Sequence, residues 1–210
     1  MSRWFDKLIT KYPELHACLP QVEEAYRLIK TCYEHDGTLL LCGNGGSAAD
    51  CEHVVGELMK GYLRKRPVPA DVRAALQAQD ATNASYLADH LQGALRAISL
   101  VSQTALITAY ANDVAADMMF AQQVYGYGRP GDVLIGISTS GNSRNVLNAL
   151  RVARARGVKT IGVTGQSGGQ MKGLCDVTIC VPWTETTDIQ ERHLAIYHAL
   201  CAQIEEDFFG

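Results

Sequence analysis

No run of 18 or more apolar residues occurs in the 210-residue chain, which excludes a membrane-spanning helix of ordinary length. Neither sign of charge dominates. With 19 basic and 22 acidic residues the formal charge is -3, and Arg64-Lys65-Arg66 is the only dense basic cluster, so the footprint of a nucleic-acid binder is missing. That cluster reads as a solvated loop. The start, Met1-Ser2-Arg3-Trp4-Phe5-Asp6-Lys7, lacks the apolar core of a secretory signal. The seven cysteines are odd in number and include no Cys-x-x-Cys, and Cys42, Cys180 and Cys201 sit inside apolar runs. Reduced core thiols in a cytoplasmic protein are expected.

What is present describes one α/β domain over residues 1–210, because 47% apolar content is enough to bury a sizeable core. Residues 3–35 carry helical periodicity broken at Pro13 and Pro20, predicting a short and then a long N-terminal helix. Five short apolar runs read as strands: Thr38–Cys42, Ala97–Val101, Val133–Ile137, Lys159–Thr164 and Val177–Val181. Helical patterns separate most of them, including 48–62, 144–156 and 188–208, so the sheet should be mainly parallel with helices on both faces. Residues 70–95 are polar and Ala-rich, with Leu87, Leu91 and Leu95 at helical spacing, and predict a helical excursion.

Two strands run into loops built for an anion. The first is Gly43-Asn44-Gly45-Gly46-Ser47 and the second is Ser138-Thr139-Ser140-Gly141-Asn142-Ser143. Each precedes a helix, whose N-terminus offers free N–H groups and the positive end of a dipole at the carboxyl edge of the sheet. Small hydroxyls and bare amides surround phosphate oxygens without bulk, so two such loops suggest a sugar phosphate.

Rival motifs fare worse. The first loop fits the dinucleotide pattern G-x-G-x-x-A, but the next strand, Ala97 to Gln103, has no acidic residue to hold a ribose, so no nucleotide cofactor is expected. Gly165-Gln166-Ser167-Gly168-Gly169 fits the nucleophile elbow G-x-S-x-G, with Asp188 and His198 downstream. Only one strand follows it, which leaves little sheet on which to mount an acid and a base, so a Gly-rich turn is the better reading.

His53 and Glu57 lie four apart on a predicted helix just past the first loop and therefore project from one face. Gln190 and His198 are two turns apart on the last helix and could meet them. These four side chains could complete a zinc site or serve directly as acid and base. His193 is rotated far from His198 and reads as a helix-face residue without a role.

Together these motifs resemble the phosphoheptose isomerases of the sugar-isomerase (SIS) superfamily. The similarity rests on Cys42-Gly-Asn-Gly-Gly-Ser47, His53 with Glu57, Asn112-Asp113, Gly136-Ile-Ser-Thr-Ser-Gly-Asn-Ser143, Thr164-Gly165-x-x-Gly-Gly169, and Ile189-Gln190-Glu191 with His198. The resemblance implies a flavodoxin-like, doubly wound five-stranded parallel sheet and a homotetramer with active sites between subunits. It implies an aldose–ketose isomerase that converts sedoheptulose 7-phosphate to glycero-manno-heptose 7-phosphate through an enediolate. Glu57 and His198 would then be the acid/base pair. Asn44, Gly45, Ser47, Asn112, Asp113, Ser138, Thr139, Ser140, Ser143 and Gln190 would contact substrate, and His53, Glu57, Gln190 and His198 would bind zinc. Non-catalytic relatives that bind the replication initiator protein, or a sugar-phosphate sensor, are the alternatives, and the presence of both Glu57 and His198 speaks against them. The chain departs from the pattern at Gly61, where the family has a basic residue, at Thr187, where it has Asp, and in the length of the 70–95 segment, which could cover a neighbouring site.

Overall fold

The computed structural model describes residues 2–210. Helix α1 (Arg3–Lys11) buries Phe5 and Leu8, and a 3-10 segment leads into α2 (Leu19–Glu34). Pro20 stands in the first turn of α2, where its missing N–H costs nothing, and Val22, Ala25, Ile29 and Cys32 form the buried stripe. Strand β1 (Leu39–Gly43) is buried along its whole length and feeds α3 (Gly46–Met59). The excursion is a pair of surface helices, α4 (Ala70–Gln79) and α5 (Ala84–His90), joined by an Arg73–Asp89 ion pair at 2.7 Å. No α4 residue is buried, and Leu87 and Leu91 are exposed, whereas Leu95 is buried and its N–H donates to the Leu58 carbonyl at 3.0 Å.

Strand β2 is shorter than expected, Ala97–Ser99, although Leu100 still donates to the Leu41 carbonyl at 2.9 Å before the chain turns. The following helical stretch is broken: α6 (Thr104–Tyr110) opens into a wide π turn over Ala111–Ala115, and extended backbone at Ala115 precedes α7 (Met119–Tyr127). Strand β3 (Val133–Ile137), α8 (Arg144–Ala155), β4 (Lys159–Thr164), β5 (Val177–Cys180) and α9 (Thr186–Phe209) complete the chain. Among the described residues no helix is long and apolar enough to cross a membrane.

All strand pairs are parallel, in the order β2-β1-β3-β4-β5, with Leu41 in register with Ser99 and Ile135. This is the doubly wound, flavodoxin-like order that the family resemblance implies. Side-chain alternation divides the core into two layers. Leu39, Leu41, Ile135, Ile137 and Ile161 pack with α1, α2, α3 and α9. Leu40, Cys42 and Leu134 pack under α7 and α8. Neighbouring strands β1 and β3 thus send their helices to opposite faces, and the crevice at their carboxyl ends is the topological switch point where such sheets bind ligands.

Candidate active site

The β1–α3 loop owes its shape to glycine. Gly45 adopts φ +57°, ψ -122°, a region closed to a residue with a Cβ, and a Cβ on Gly46 would come within 2.5 Å of the Gln190 amide nitrogen. Gln190 of α9 therefore lies directly on the first loop. Ser47 is buried behind it and Asn44 is exposed at its rim. Asn44 exchanges two amide hydrogen bonds, of 2.9 and 2.8 Å, with Asn145 in the first turn of α8, so the β1–α3 and β3–α8 loops are tied to one another. Asn145 escaped the sequence reading. Its signal was an Asn, a residue that competes with helical hydrogen bonding, placed in a first helical turn.

In the β3–α8 loop Ser138 is buried and its Oγ lies 2.8 Å from Ser143 Oγ and 3.5 Å from Ser140 Oγ. Ser143 is the N-cap of α8 but makes no side-chain bond to its own helix, because its hydroxyl is turned toward Ser138. The amides of Arg144 and Asn145 are left without an intrahelical partner, as at any helix start. Gly141 closes the turn with φ +66°, its N–H donating to the Ser138 carbonyl at 3.0 Å. Thr139 is half-buried and Ser140 exposed, and the Thr139 carbonyl accepts the Gly165 N–H at 3.0 Å, which fixes this loop against the turn after β4. That turn carries Gly168 in the left-handed region and an exposed Ser167, consistent with a Gly-rich turn rather than a nucleophile elbow.

The third group of residues bridges α3 and α9. His53 Nε2 lies 3.2 Å from Glu57 Oε1 and 3.4 Å from His198 Nε2, and one ligand atom from each of the three falls within 4.8 Å of the others. Burial first, and then the neighbouring His53, hold the His198 imidazole below its ordinary value. Glu57 Oε2 is buried without a hydrogen-bond partner. Two imidazole nitrogens and a carboxylate oxygen that converge around so little hydrogen suit a borderline cation such as zinc, so the donor set fits a metal. Gln190 sits eight residues earlier on α9, beside Gly46. Asn112 and Asp113 lie exposed on the π turn, where Asn112 Nδ2 donates to Asp113 Oδ1 at 2.8 Å. An open cavity of about 420 Å³ reaches His198 between α1 and α9, with Trp4, Lys7, Lys11, Tyr12 and Tyr62 on its walls.

Three expectations need correction. Helix α3 stops at Met59 rather than near Tyr62, because Lys60 is extended and the Arg66 guanidinium takes the last carbonyls, Nη1 donating to Leu58 at 2.7 Å and Nη2 to Glu57 at 3.1 Å. Arg66 is accordingly no solvated loop residue: its side chain is wholly buried, stacked on the Phe209 ring, with Nε donating to Glu205 Oε1 at 2.8 Å. Glu205 also accepts the N–H groups of Tyr62 and Leu63, and these donors hold its carboxyl below the ordinary value against the effect of burial. His193, read as a helix-face residue, points at the sheet and is 1% exposed. Five residues turn α9 through about 140° relative to His198, which carries His193 to the buried side. Neither ring nitrogen has a hydrogen-bond partner, and burial pushes the imidazole down to about 4.

Family models for the SIS domain match residues 93–205 and residues 4–101. The chain is 40% identical over 190 residues to the phosphoheptose isomerase of Rhodospirillum rubrum, covering 90% of this chain and 87% of that one. It is also 40% identical over 197 residues to that of Trichlorobacter lovleyi, covering 94% and 87%. Among solved structures, the phosphoheptose isomerase of Neisseria gonorrhoeae superimposes with a TM-score of 0.74 at 34% identity over 96% of this chain and 95% of that one. That of Francisella tularensis gives 0.76 at 29% identity over 97% and 95%. With this similarity running through the β1–α3 and β3–α8 loops and both helices of the His53–Glu57–His198 cluster, the chain belongs to the phosphoheptose isomerase family of SIS-domain proteins.

Proposed function

We propose that the protein is an aldose–ketose isomerase that converts sedoheptulose 7-phosphate to glycero-manno-heptose 7-phosphate. The observation that carries this reading is the meeting of His53, Glu57 and His198 across two helices in a member of this family. The phosphate is held by Ser138, Thr139, Ser140, Ser143 and the open amides of α8. Asn44, Gly45, Ser47, Asn112, Asp113 and Gln190 take the hydroxyls of the sugar. Within the Glu57–His198 pair, one group removes a proton from C1 while O2 gains one, and the resulting enediol then loses the O1 proton as C2 is protonated. Burial favours the neutral form of His198, the form that can accept a proton early in this sequence.

His53, Glu57, Gln190 and His198 are the residues that would hold zinc. Bound there, zinc would supply Lewis-acid stabilisation of the developing oxyanion. A homotetramer is part of the proposal, supported by exposed apolar side chains at Met59, Leu63, Tyr86 and Leu91, and a reducing, cytoplasmic setting is supported by seven free cysteines.

The test is turnover of sedoheptulose 7-phosphate by the native chain, Glu57→Gln and His198→Ala, before and after chelation. Each substitution is expected to lower kcat by about 10²–10⁴-fold, the usual contribution of a positioned acid or base. Loss on chelation with recovery on adding zinc assigns the metal. Binding of the sugar phosphate by the native chain without turnover would refute the enzyme reading and favour a sensor.

A further inference from the structure

The hydrogens around His53 can be counted. Tyr197 precedes His198 on α9, and Asp50 stands one turn before His53 on α3. The Tyr197 hydroxyl lies 3.2 Å from Asp50 Oδ1 and 3.0 Å from His53 Nδ1. It has one hydrogen and two neighbours, so one of the two contacts must take its hydrogen from the other partner. Burial raises the Asp50 carboxyl above its ordinary value, and in its carboxylate form it has none to give. The hydroxyl therefore donates to Asp50, and its oxygen accepts Nδ1–H from the imidazole. Tyr197 is 7% exposed, and its ring meets that of His53 edge-on at 5.4 Å and 72°.

We infer that Asp50 and Tyr197 are positioning residues that keep a hydrogen on His53 Nδ1 and leave Nε2, 3.2 Å from Glu57 Oε1 and 3.4 Å from His198 Nε2, as the nitrogen open to a metal or a proton. A histidine that binds a metal through one nitrogen needs a hydrogen-bond acceptor on the other, fixing both tautomer and ring plane. Here the acceptor is a phenol backed by a carboxylate, and it links the two helices that supply the cluster. The consequence for metal affinity rests on the zinc reading given above, whereas the tautomer does not.

The full-length chain, labelled with ¹³C and ¹⁵N in histidine and stripped of metal by a chelator, tests the tautomer by NMR, with His53→Gln assigning the signal. The native protein is expected to show His53 as Nδ1–H, and Tyr197→Phe to move it toward Nε2–H. Zinc affinity, measured by competition with a chromogenic chelator, is expected to fall about tenfold or more in Tyr197→Phe and in Asp50→Asn. Tyr197→Phe also strands the Asp50 carboxylate, so Asp50→Asn/Tyr197→Phe, which lacks that charge, must show the same tautomer shift and weakened binding. A native His53 with the hydrogen on Nε2, an unchanged tautomer in Tyr197→Phe, or native zinc affinity in the double variant would overturn the inference. A native chain that takes up no zinc would overturn the metal assignment alone, with the metal-free spectrum still deciding the tautomer.

Discussion

Leu40 and Cys42 serve one face of β1, Leu39 and Leu41 the other, and the layers they join differ in kind. The α7–α8 layer is a largely apolar platform: Phe120, Val124, Leu134, Val146, Leu147 and Leu150 fill it, and the buried Gln123 donates from Nε2 to the Leu100 carbonyl at 2.9 Å while its Oε1 has no partner. At its rim sits the hydroxyl loop. The α3–α9 layer contains the titratable groups: His193, Asp50, the His53–Glu57–His198 cluster and the Arg66–Glu205 pair. A grip for phosphate needs only backbone amides and hydroxyls held rigidly at a helix start. Proton transfer needs desolvated ionisable groups, and these burden the layer that holds them.

The comparison can be broken most severely at Arg66. Arg66→Met leaves Glu205 buried and unpaired, and unfolding in urea should show a loss of about 3–5 kcal/mol. Arg66→Met/Glu205→Leu should recover at least half of it, since an apolar pair tolerates burial. Recovery of nothing would mean that the unpaired backbone groups, the carbonyls of Glu57 and Leu58 and the N–H groups of Tyr62 and Leu63, rather than the stranded charge, set the cost.

Next in size is the acid sensitivity of the same layer. The folded imidazole of His193 lies at about 4 against about 6.5 for a free histidine, so below pH 6.5 the unfolded chain binds a proton that the folded chain refuses. The contribution of His193 to stability should therefore fall as pH drops from 6.5 to 4, by roughly 3 kcal/mol, and change no further below that. His193→Leu should flatten this window in urea midpoints taken at pH 7 and pH 4.5, and an unchanged slope would place the acid sensitivity elsewhere.

Asn145 sharpens the comparison by joining the layers. Asn145→Ala removes both amide bonds to Asn44, which at exposed positions amount to roughly 1 kcal/mol together. The expected result is a fall of about fivefold in kcat/KM with the melting temperature nearly unchanged. A fall in stability without loss of activity would make the pair a fold contact only.

Much of this organisation is legible in the sequence. The β1 and β3 runs are bounded by Gly-rich loops, so strand, loop and helix start follow from local chemistry, and the four-residue step from His53 to Glu57 fixes one face of α3. The parts that were missed depend on partners far along the chain. Arg66 belongs to a basic triplet that reads as solvated until Glu205 and Phe209 close over it. The inward turn of His193 depends on which side of α9 meets the sheet, and the break between α6 and α7 comes from a π turn and an extended Ala115 that no Pro or Gly announces.

The central claim is a division between gripping and reacting, and paired steady-state kinetics on sedoheptulose 7-phosphate test it most directly. Ser143→Ala should raise KM by about tenfold with kcat within about threefold of native, as expected for one hydrogen bond to a charged group. Glu57→Gln should depress kcat while leaving KM within about threefold. If Ser143→Ala lowered kcat as much as Glu57→Gln does, or if Glu57→Gln acted through KM alone, the division of labour between the two layers would be contradicted.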